Sequence, residues 1–291
     1  MSFLTWLFGK QSKNAADSIQ VADPVLRVDN LYMLPRHMQE VNRLDFQHYM
    51  LRTAFQANYL APISNPITVL DVACGTGRWM LDVAQDFPSA SITGIDLAPP
   101  DPATSKISFP ASCRFLQGNI IKGLPFDDQS FDFVHQRFLV LALPLQYWEA
   151  DIRELVRVTR SGGWLELVEA DLEFHNQGSA GTRLYSWIEQ ASQQRGIDVT
   201  IGRKIETFAR TAGLTHVSEH KVEIPMGNWG GRIGSMLATD FSTAVIAIKP
   251  LVTSTLKIDS QEYDYTLQTW LQECEQLHAT YDFTIVYGQR S

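Results

Sequence analysis

The chain has 291 residues, of which 45% are hydrophobic and 19% charged, and its formal net charge is −8. These values predict a globular protein with a sizeable core. An acidic chain without a basic run disfavours a nucleic-acid partner, because phosphate backbones attract cations. The three scattered cysteines include no Cys-x-x-Cys pair, which indicates a reducing compartment and no structural zinc. We therefore expect a cytoplasmic protein without a bound metal and without a segment long enough to span a bilayer.

The first 66 residues predict a helical arm. Apolar residues recur at helical spacing over residues 36–59, after a stretch that should be extended because it ends at Pro35. The polar side chains of this arm suit either a solvated helix face or a lid over a ligand cleft. On the lid hypothesis Tyr32 contacts a cofactor, and His37 and His48 belong to a substrate pocket. The role of the apolar residues 3–8 stays open.

A strand, a glycine turn and a helix follow over residues 69–84. Residues 69–72 are aliphatic apart from Asp71, Gly75 and Gly77 permit a tight turn, and apolar side chains then recur at helical spacing from Trp79. One glycine lets the chain turn, and the other lets a ligand approach bare backbone. This order is typical of the opening of a doubly wound nucleotide-binding sheet.

The residues around this turn indicate which nucleotide is bound. A dinucleotide fingerprint needs a third glycine where this chain has Met80, so a pyrophosphate ligand is disfavoured. Asp71 would repel a phosphate but attract an amino group. The second strand, over residues 92–96, ends in Asp96, which is placed to bind both hydroxyls of a ribose. A ligand with a ribose, a cationic amine and no phosphate is S-adenosylmethionine (SAM).

The run from Asp71 to Gly77 resembles motif I of the class I SAM-dependent methyltransferases, with Ala73 in place of the first glycine of that motif. Residues 32–35 (Tyr-Met-Leu-Pro), 43–48 (Arg-Leu-Asp-Phe-Gln-His) and 59–62 (Tyr-Leu-Ala-Pro) look like the arm of the LaeA-like methyltransferases and regulators of microbial secondary metabolism. The similarity extends over residues 30–290. It implies SAM as cofactor and S-adenosylhomocysteine as product, with Leu97 as a further cofactor contact. Cys74, inside the glycine turn, is placed to touch the cofactor as well, although a small buried hydrophobe is the favoured interpretation.

The resemblance also implies roles at the ends of the next two strands. After the third strand, residues 113–117, Asn119 would pair with the adenine edge and Ile120 would pack on the adenine face. After the fourth strand, Gln136 would contact the cofactor, and His135 and Arg137 would be catalytic. An arginine is never a base, but it can clamp the carboxylate of an acceptor or of the cofactor. His135 is suited to take a proton, although a satisfied buried histidine is an equally open interpretation.

The remaining elements predict the acceptor side of the molecule. A helix over residues 147–159 leads to a fifth strand, residues 164–169, with Glu169 and His175 at the sheet edge where such folds bind ligands. Helices over residues 184–193 and 201–212 precede a strand over 217–224. A helical pair, residues 231–248 and 262–279, then interrupts the hairpin closed by residues 282–287. Trp229 would line an acceptor pocket, with core packing as the alternative.

We therefore predict an α/β fold: a Rossmann-like, seven-stranded, mostly parallel sheet with an antiparallel last strand, helices on both faces, an N-terminal helical arm and a helical insertion near the C-terminus. Residues 1–66 form the arm or lid, 67–170 the cofactor-binding core, and 171–291 the acceptor-pocket helices and closing strands.

We expect a SAM-dependent methyltransferase that acts on a small specialised metabolite by direct displacement without a metal. The alternative is a LaeA-like regulator that keeps the fold and acts through a protein partner. A protein methyltransferase ranks third, and Asp71 with Met80 disfavours an NAD-dependent oxidoreductase. The acceptor, the methylated atom and the oligomeric state stay open.

Overall fold

The computed structural model describes residue 33, residues 38–100 and residues 108–291, without the side chains of residues 38–42 and 173. Within them the helices are α1 (Met38–Phe55), α2 (Arg78–Asp86), α3 (Leu145–Val158), α4 (Ser179–Gln193), α5 (Ile205–Thr211), α6 (Gly231–Leu256) and α7 (Ser260–Gln276). The strands are β1 (Thr68–Val72), β2 (Ser91–Asp96), β3 (Cys113–Gln117), β4 (Phe131–Arg137), β5 (Thr159–His175), β6 (Leu214–Pro225) and β7 (Thr280–Arg290).

The seven strands form one sheet in the order β3-β2-β1-β4-β5-β7-β6. Strands β1 to β5 run parallel, and β7 is antiparallel to both of its neighbours, β5 and β6. The predicted sheet, with its antiparallel last strand, is therefore confirmed. The strand order reverses between β1 and β4, and in open α/β sheets ligands bind in the crevice outside the carboxyl ends of the strands at that point.

Apolar clusters cover both faces of the sheet. On one face α3 buries Trp148, Ile152 and Leu155 against β4 and β5, and on the other α2 buries Trp79 against Phe133 of β4. The apolar spacing of α2 and α3 places their large side chains on a single stripe, which is what burial against a flat sheet requires. The sequence periodicity of these two helices therefore predicted their packing.

The helical pair α6 and α7 interrupts the β6–β7 hairpin, as predicted. With α1 and α4 it forms a third apolar cluster over β5 and β7, which includes Met50, Leu237, Trp270 and Phe283. Helix α6 is longer than the predicted 231–248. It continues past Pro250 to Leu256 because its apolar face continues to the buried Val252.

Within the described part of the chain, one helical stretch, Asn228–Leu256, is long and apolar enough to be considered as a membrane span. The expectation that no segment reaches that length was therefore wrong. The buried face of this helix carries Asp240, which forms an ion pair with Arg43 of α1 at 2.8 Å. The helix also packs against α1, α4 and α7.

Candidate cofactor and acceptor site

The turn after β1 has a left-handed backbone at three positions. Ala73, Gly75 and Gly77 have φ angles of 57°, 53° and 72°. A Cβ on Gly77 would also lie 2.8 Å from the Phe115 ring, so this position has neither the conformation nor the space for a side chain. The left-handed φ of Ala73 explains why the methyltransferase motif has a glycine there, since an L-residue pays about 1–2 kcal/mol for that conformation.

The position of the third glycine in a dinucleotide fingerprint is filled by the fully buried Met80. A Cβ on Gly94 of β2 would lie 2.5 Å from the Met80 sulfur and 2.8 Å from the Cys74 sulfur. The glycine that permits close packing of helix on strand thus lies in the strand in this protein. The thiol of Cys74 packs inward on Gly94, and burial raises the pKa of this thiol well above its usual value. Cys74 is therefore a small core residue.

Asp96, at the end of β2, turns its carboxylate toward the glycine turn. One oxygen accepts the N–H of Gly75 at 3.0 Å, and the other accepts the N–H of Ala98 at 2.9 Å. Leu97 lies between these contacts. The predicted ribose acid and the predicted glycine turn therefore adjoin at the carboxyl edge of the sheet.

Asp71 and His135 form a buried pair across β1 and β4. The Asp71 Oδ1 atom lies 2.8 Å from His135 Nδ1, and the imidazole stacks on Trp79 with ring centroids 3.8 Å apart. Burial lowers the pKa of His135 although Asp71 opposes that shift. His135 is only 1% exposed, so its placement fits the satisfied buried histidine better than the proton acceptor. What it does in this structure is to orient Asp71.

Arg137, at the last position of β4, meets the arm. Its Nη2 lies 3.2 Å from Nδ1 of His48 on α1, and Nε2 of His48 lies 2.9 Å from Oδ2 of Asp82 on α2. Asp82 also accepts an N–H of Arg52 at 2.8 Å. We call Arg137, His48, Asp82 and Arg52 the arm network. His48 is thus a buried link between the arm and the core, not the pocket-lining residue that we predicted.

Gln136 and Glu169 differ from their predicted roles because both side chains serve the fold. Gln136 points to the other face of the sheet, where its amide donates to Oδ2 of Asp151 at 2.7 Å. Glu169 accepts the N–H groups of Leu139 and Val140 at 2.7 and 3.2 Å and so fixes the turn after β4. Burial raises the pKa of Glu169 to about 8.

Asn119 and Ile120 follow β3 at the crevice edge, as predicted. The Asn119 Oδ1 atom caps the short 3₁₀ turn Ile120–Lys122 by accepting the N–H of Ile121 at 3.1 Å. A carbonyl oxygen has a second lone pair and the amide has two N–H donors, so this cap leaves an edge for an adenine. The adenine contact stays a prediction.

The structure gives partners to two further acceptor candidates. His175 is half exposed and pairs with Asp282 at 2.9 Å, which raises the pKa of the imidazole. The indole of Trp229 donates to the Met226 carbonyl at 3.1 Å, stacks on His278 and is 36% exposed. Their acceptor roles stay predictions. Tyr32 and His37 lie outside the described residues.

Sequence reasoning missed the residues that attach α1 to the glycine turn. The Thr76 hydroxyl donates to Oδ1 of Asp45 at 2.7 Å, and Leu44 lies beside Gly75, where a Cβ would be 3.6 Å from its Cδ1. It also missed Asp82. An acid on the buried stripe of an amphipathic helix indicates a buried polar partner, because acidic side chains are rarely buried unless they are paired.

The donor set fits SAM. Two carboxylates, Asp71 and Asp96, lie near the ends of adjacent strands beside the glycine turn, and Asn119 with Ile120 follows at the next strand. This set matches an amine, a ribose and an adenine, and it would repel a pyrophosphate. Among the residues that the structure describes, no group of three or more His, Cys, Asp or Glu side chains is arranged to hold a metal ion.

Comparison with known proteins agrees with this chemistry. Residues 69–163 match the family model described as "Methyltransferase domain". The methyltransferase pytC of Aspergillus terreus is 27% identical, over 89% of this chain and 83% of its own length. The N-methyltransferase sirN of Leptosphaeria maculans is 30% identical, over 89% and 94%.

The secondary metabolism regulator laeA of Aspergillus flavus is 31% identical over 68% of this chain, but the match spans only 55% of its own length. With the glycine turn, the two acids and the strand order, these similarities establish the family. The chain belongs to the class I SAM-dependent methyltransferases of the LaeA-like, secondary-metabolism type, and SAM is its cofactor.

Proposed function

We propose that this methyltransferase acts on a small specialised metabolite, by direct displacement and without a metal ion. The observation that carries the proposal is the position of α1 over the carboxyl edge of the sheet. At one point α1 is bound to the glycine turn through Asp45, and at another Arg43 and Gln47 both bind Asp240 of α6, at 2.8 and 2.9 Å. A helix bridged to both sides of a crevice suits a small enclosed acceptor better than a polypeptide.

The side chains beyond β4 support an apolar acceptor. Phe138 follows the strand with a left-handed φ of 57°. Its ring lies 5.8 Å from that of Phe283, and Phe55 of α1 lies 6.2 Å from the same ring. An apolar, water-poor surround favours a reaction in which charge is neutralised as the reactants approach. These three aromatic residues come from the segment after β4, from β7 and from α1.

When bound, SAM supplies an electrophilic methyl group on a sulfonium centre. The work left to the chain is to hold the donor, align the acceptor and exclude water. Asp96 would take the ribose, Asp71 the amino group, and α1 would close the crevice. Proton removal is needed only for acceptors that ionise, and the buried His135 serves here to orient Asp71.

The test is a methyl-transfer assay with isotope-labelled SAM and panels of phenols, amines and terpenoid acceptors, with and without EDTA. We expect transfer to one panel, insensitive to EDTA and strongly reduced by Asp96→Asn, while Glu149→Gln, an exposed charge change on α3, has no effect. Inhibition by EDTA that added metal reverses would contradict the metal-independent proposal.

The similarity to laeA favours a second candidate, a regulator that binds SAM and acts through a protein partner. Two results together would favour this candidate over the first. The chain would bind SAM saturably without methylating any small-molecule panel, and methyl transfer would occur only when cell proteins are added.

A further inference from the structure

The arm network determines the charge state of His48. A guanidinium carries only N–H donors, so the bond from Arg137 requires Nδ1 of His48 to be an acceptor. The imidazole is then neutral, with its proton on Nε2, where it donates to Asp82. Burial and the charge of Arg137 hold the pKa of His48 well below its usual value, in agreement with this assignment. His48 thus fixes one edge of the Arg137 guanidinium.

The rest of that guanidinium is available to a ligand. Among the described residues, the bond to His48 is the hydrogen bond that the structure gives Arg137. The two acids whose charges act on it, Asp71 and Asp82, are already bound, by His135 and by the arm. Arg137 is partly exposed, and none of its nitrogens is among the buried atoms that lack a hydrogen-bond partner, so its remaining N–H groups are accessible to a ligand. The carboxyl end of β4 is therefore prepared for an anionic group.

Asp71 on β1 and Arg137 on β4 occupy neighbouring strand ends. Asp71 is opposite His135 in the β1–β4 register, and Arg137 comes two residues later, beside the turn that begins at Ala73. A carboxylate and a guanidinium on adjoining strands are the charge complement of an α-amino acid zwitterion. SAM ends in such a zwitterion.

We propose that Arg137, held in place by His48, binds the α-carboxylate of SAM, while Asp71 binds its α-amino group. Arg137 is then a cofactor-binding residue and His48 a positioning residue that couples docking of the arm to cofactor affinity. The inference depends on SAM as the cofactor and is independent of the acceptor, so its test needs binding alone.

Isothermal titration with SAM and with decarboxylated SAM tests the role of Arg137. A charge-assisted hydrogen bond is worth about 1.5–3 kcal/mol, so we expect Arg137→Gln to weaken SAM binding about ten- to hundred-fold and to leave decarboxylated SAM unchanged. Arg153→Gln, which removes an exposed arginine of α3, is the matched control and should bind both ligands like the parent chain. Arg137→Lys keeps the positive charge and should still lose SAM affinity, because an ammonium lacks the paired N–H donors with which a guanidinium binds a carboxylate.

Unchanged SAM affinity in Arg137→Gln and Arg137→Lys would overturn the proposal and would leave an acidic acceptor as the alternative partner of Arg137. Equal losses for both ligands would overturn it as well, because such losses do not depend on the carboxylate. Failure to find a methyl acceptor would not affect either result.

A double-mutant cycle tests the role of His48. His48→Phe should weaken SAM binding several-fold but have no further effect in the Arg137→Gln chain, since it acts through the guanidinium. His48→Asn supplies an acceptor oxygen near the position of Nδ1 and should recover part of the loss. Additive losses in the double variant, with equal melting temperatures, would show that His48 does not act through Arg137.

Discussion

Asp151 on α3 gives the sharpest prediction of stability. It is 4% exposed, its Oδ2 accepts an N–H of Gln136 at 2.7 Å, and neither its Oδ1 nor the Gln136 oxygen has a partner among the described residues. Burial raises the pKa of Asp151 from 3.8 to about 7, against the opposing effect of the Gln136 bond. The folded protein therefore binds this proton more tightly than the unfolded chain does.

The sign of the pH dependence follows from this difference. The contribution of Asp151 to the free energy of unfolding is complete below pH 3.8 and is lost as the pH rises through about 7. At about 1.4 kcal/mol for each pH unit between the two pKa values, the loss is on the order of 4 kcal/mol by pH 8. Asp151→Asn stays neutral, and its N–H groups match the unpartnered oxygen of Gln136.

Urea denaturation of both chains between pH 4.5 and 8.5 measures this effect. We expect Asp151→Asn to be close to the parent at pH 4.5 and more stable by a few kcal/mol at pH 8.5. Glu149→Gln, on the exposed side of the same helix, should show no such trend. A difference between Asp151→Asn and the parent that does not change with pH would refute the reasoning, because Asp151 would then keep one charge state throughout.

Three further substitutions test the packing. Gly94→Ala should lower the free energy of unfolding by about 1–3 kcal/mol, because its methyl group overpacks against Met80. Met80→Ala frees that space, so the loss of unfolding free energy in the double variant, measured with urea, should be well below the sum of the two single losses. Additive losses would contradict the contact. Tyr281→Phe removes a buried hydroxyl whose contact with the Leu172 backbone falls outside hydrogen-bond geometry, so it should change the thermal midpoint little, and a loss above about 1 kcal/mol would show that this contact stabilises the fold. Ala73→Gly relieves a left-handed φ and should stabilise the fold by up to about 1 kcal/mol, whereas destabilisation would show that the strain is absent.

The parts of the fold that the sequence predicted depend on local chemistry. Positive φ at Gly75 and Gly77 and the apolar stripe of α2 depend on a few neighbouring residues, so their pattern can be read without the rest of the chain. The acid at the end of β2 follows equally, because parallel strands that end in the same edge bring their last side chains together.

The partners of the polar side chains were not predictable in this way. His48 and Asp82 are 34 residues apart, and Glu169 reaches Leu139 across 30 residues. Each side chain could have faced solvent, a pocket or another element, and the sequence shows no period that selects among these. The pocket roles assigned to His48 and Glu169 therefore differed from the structure, whereas that of Trp229 stays a prediction.

By itself the sequence determined the α/β class, the glycine turn with its two acids and the kind of cofactor, because backbone conformation, amphipathic spacing and charge are properties of short segments. Only the tertiary structure decided that Met80 packs against Gly94, that α1 closes over the turn, and that Arg137 retains an unfilled edge. Those outcomes depend on which distant groups satisfy each buried polar atom, and that competition is settled only when the whole chain packs.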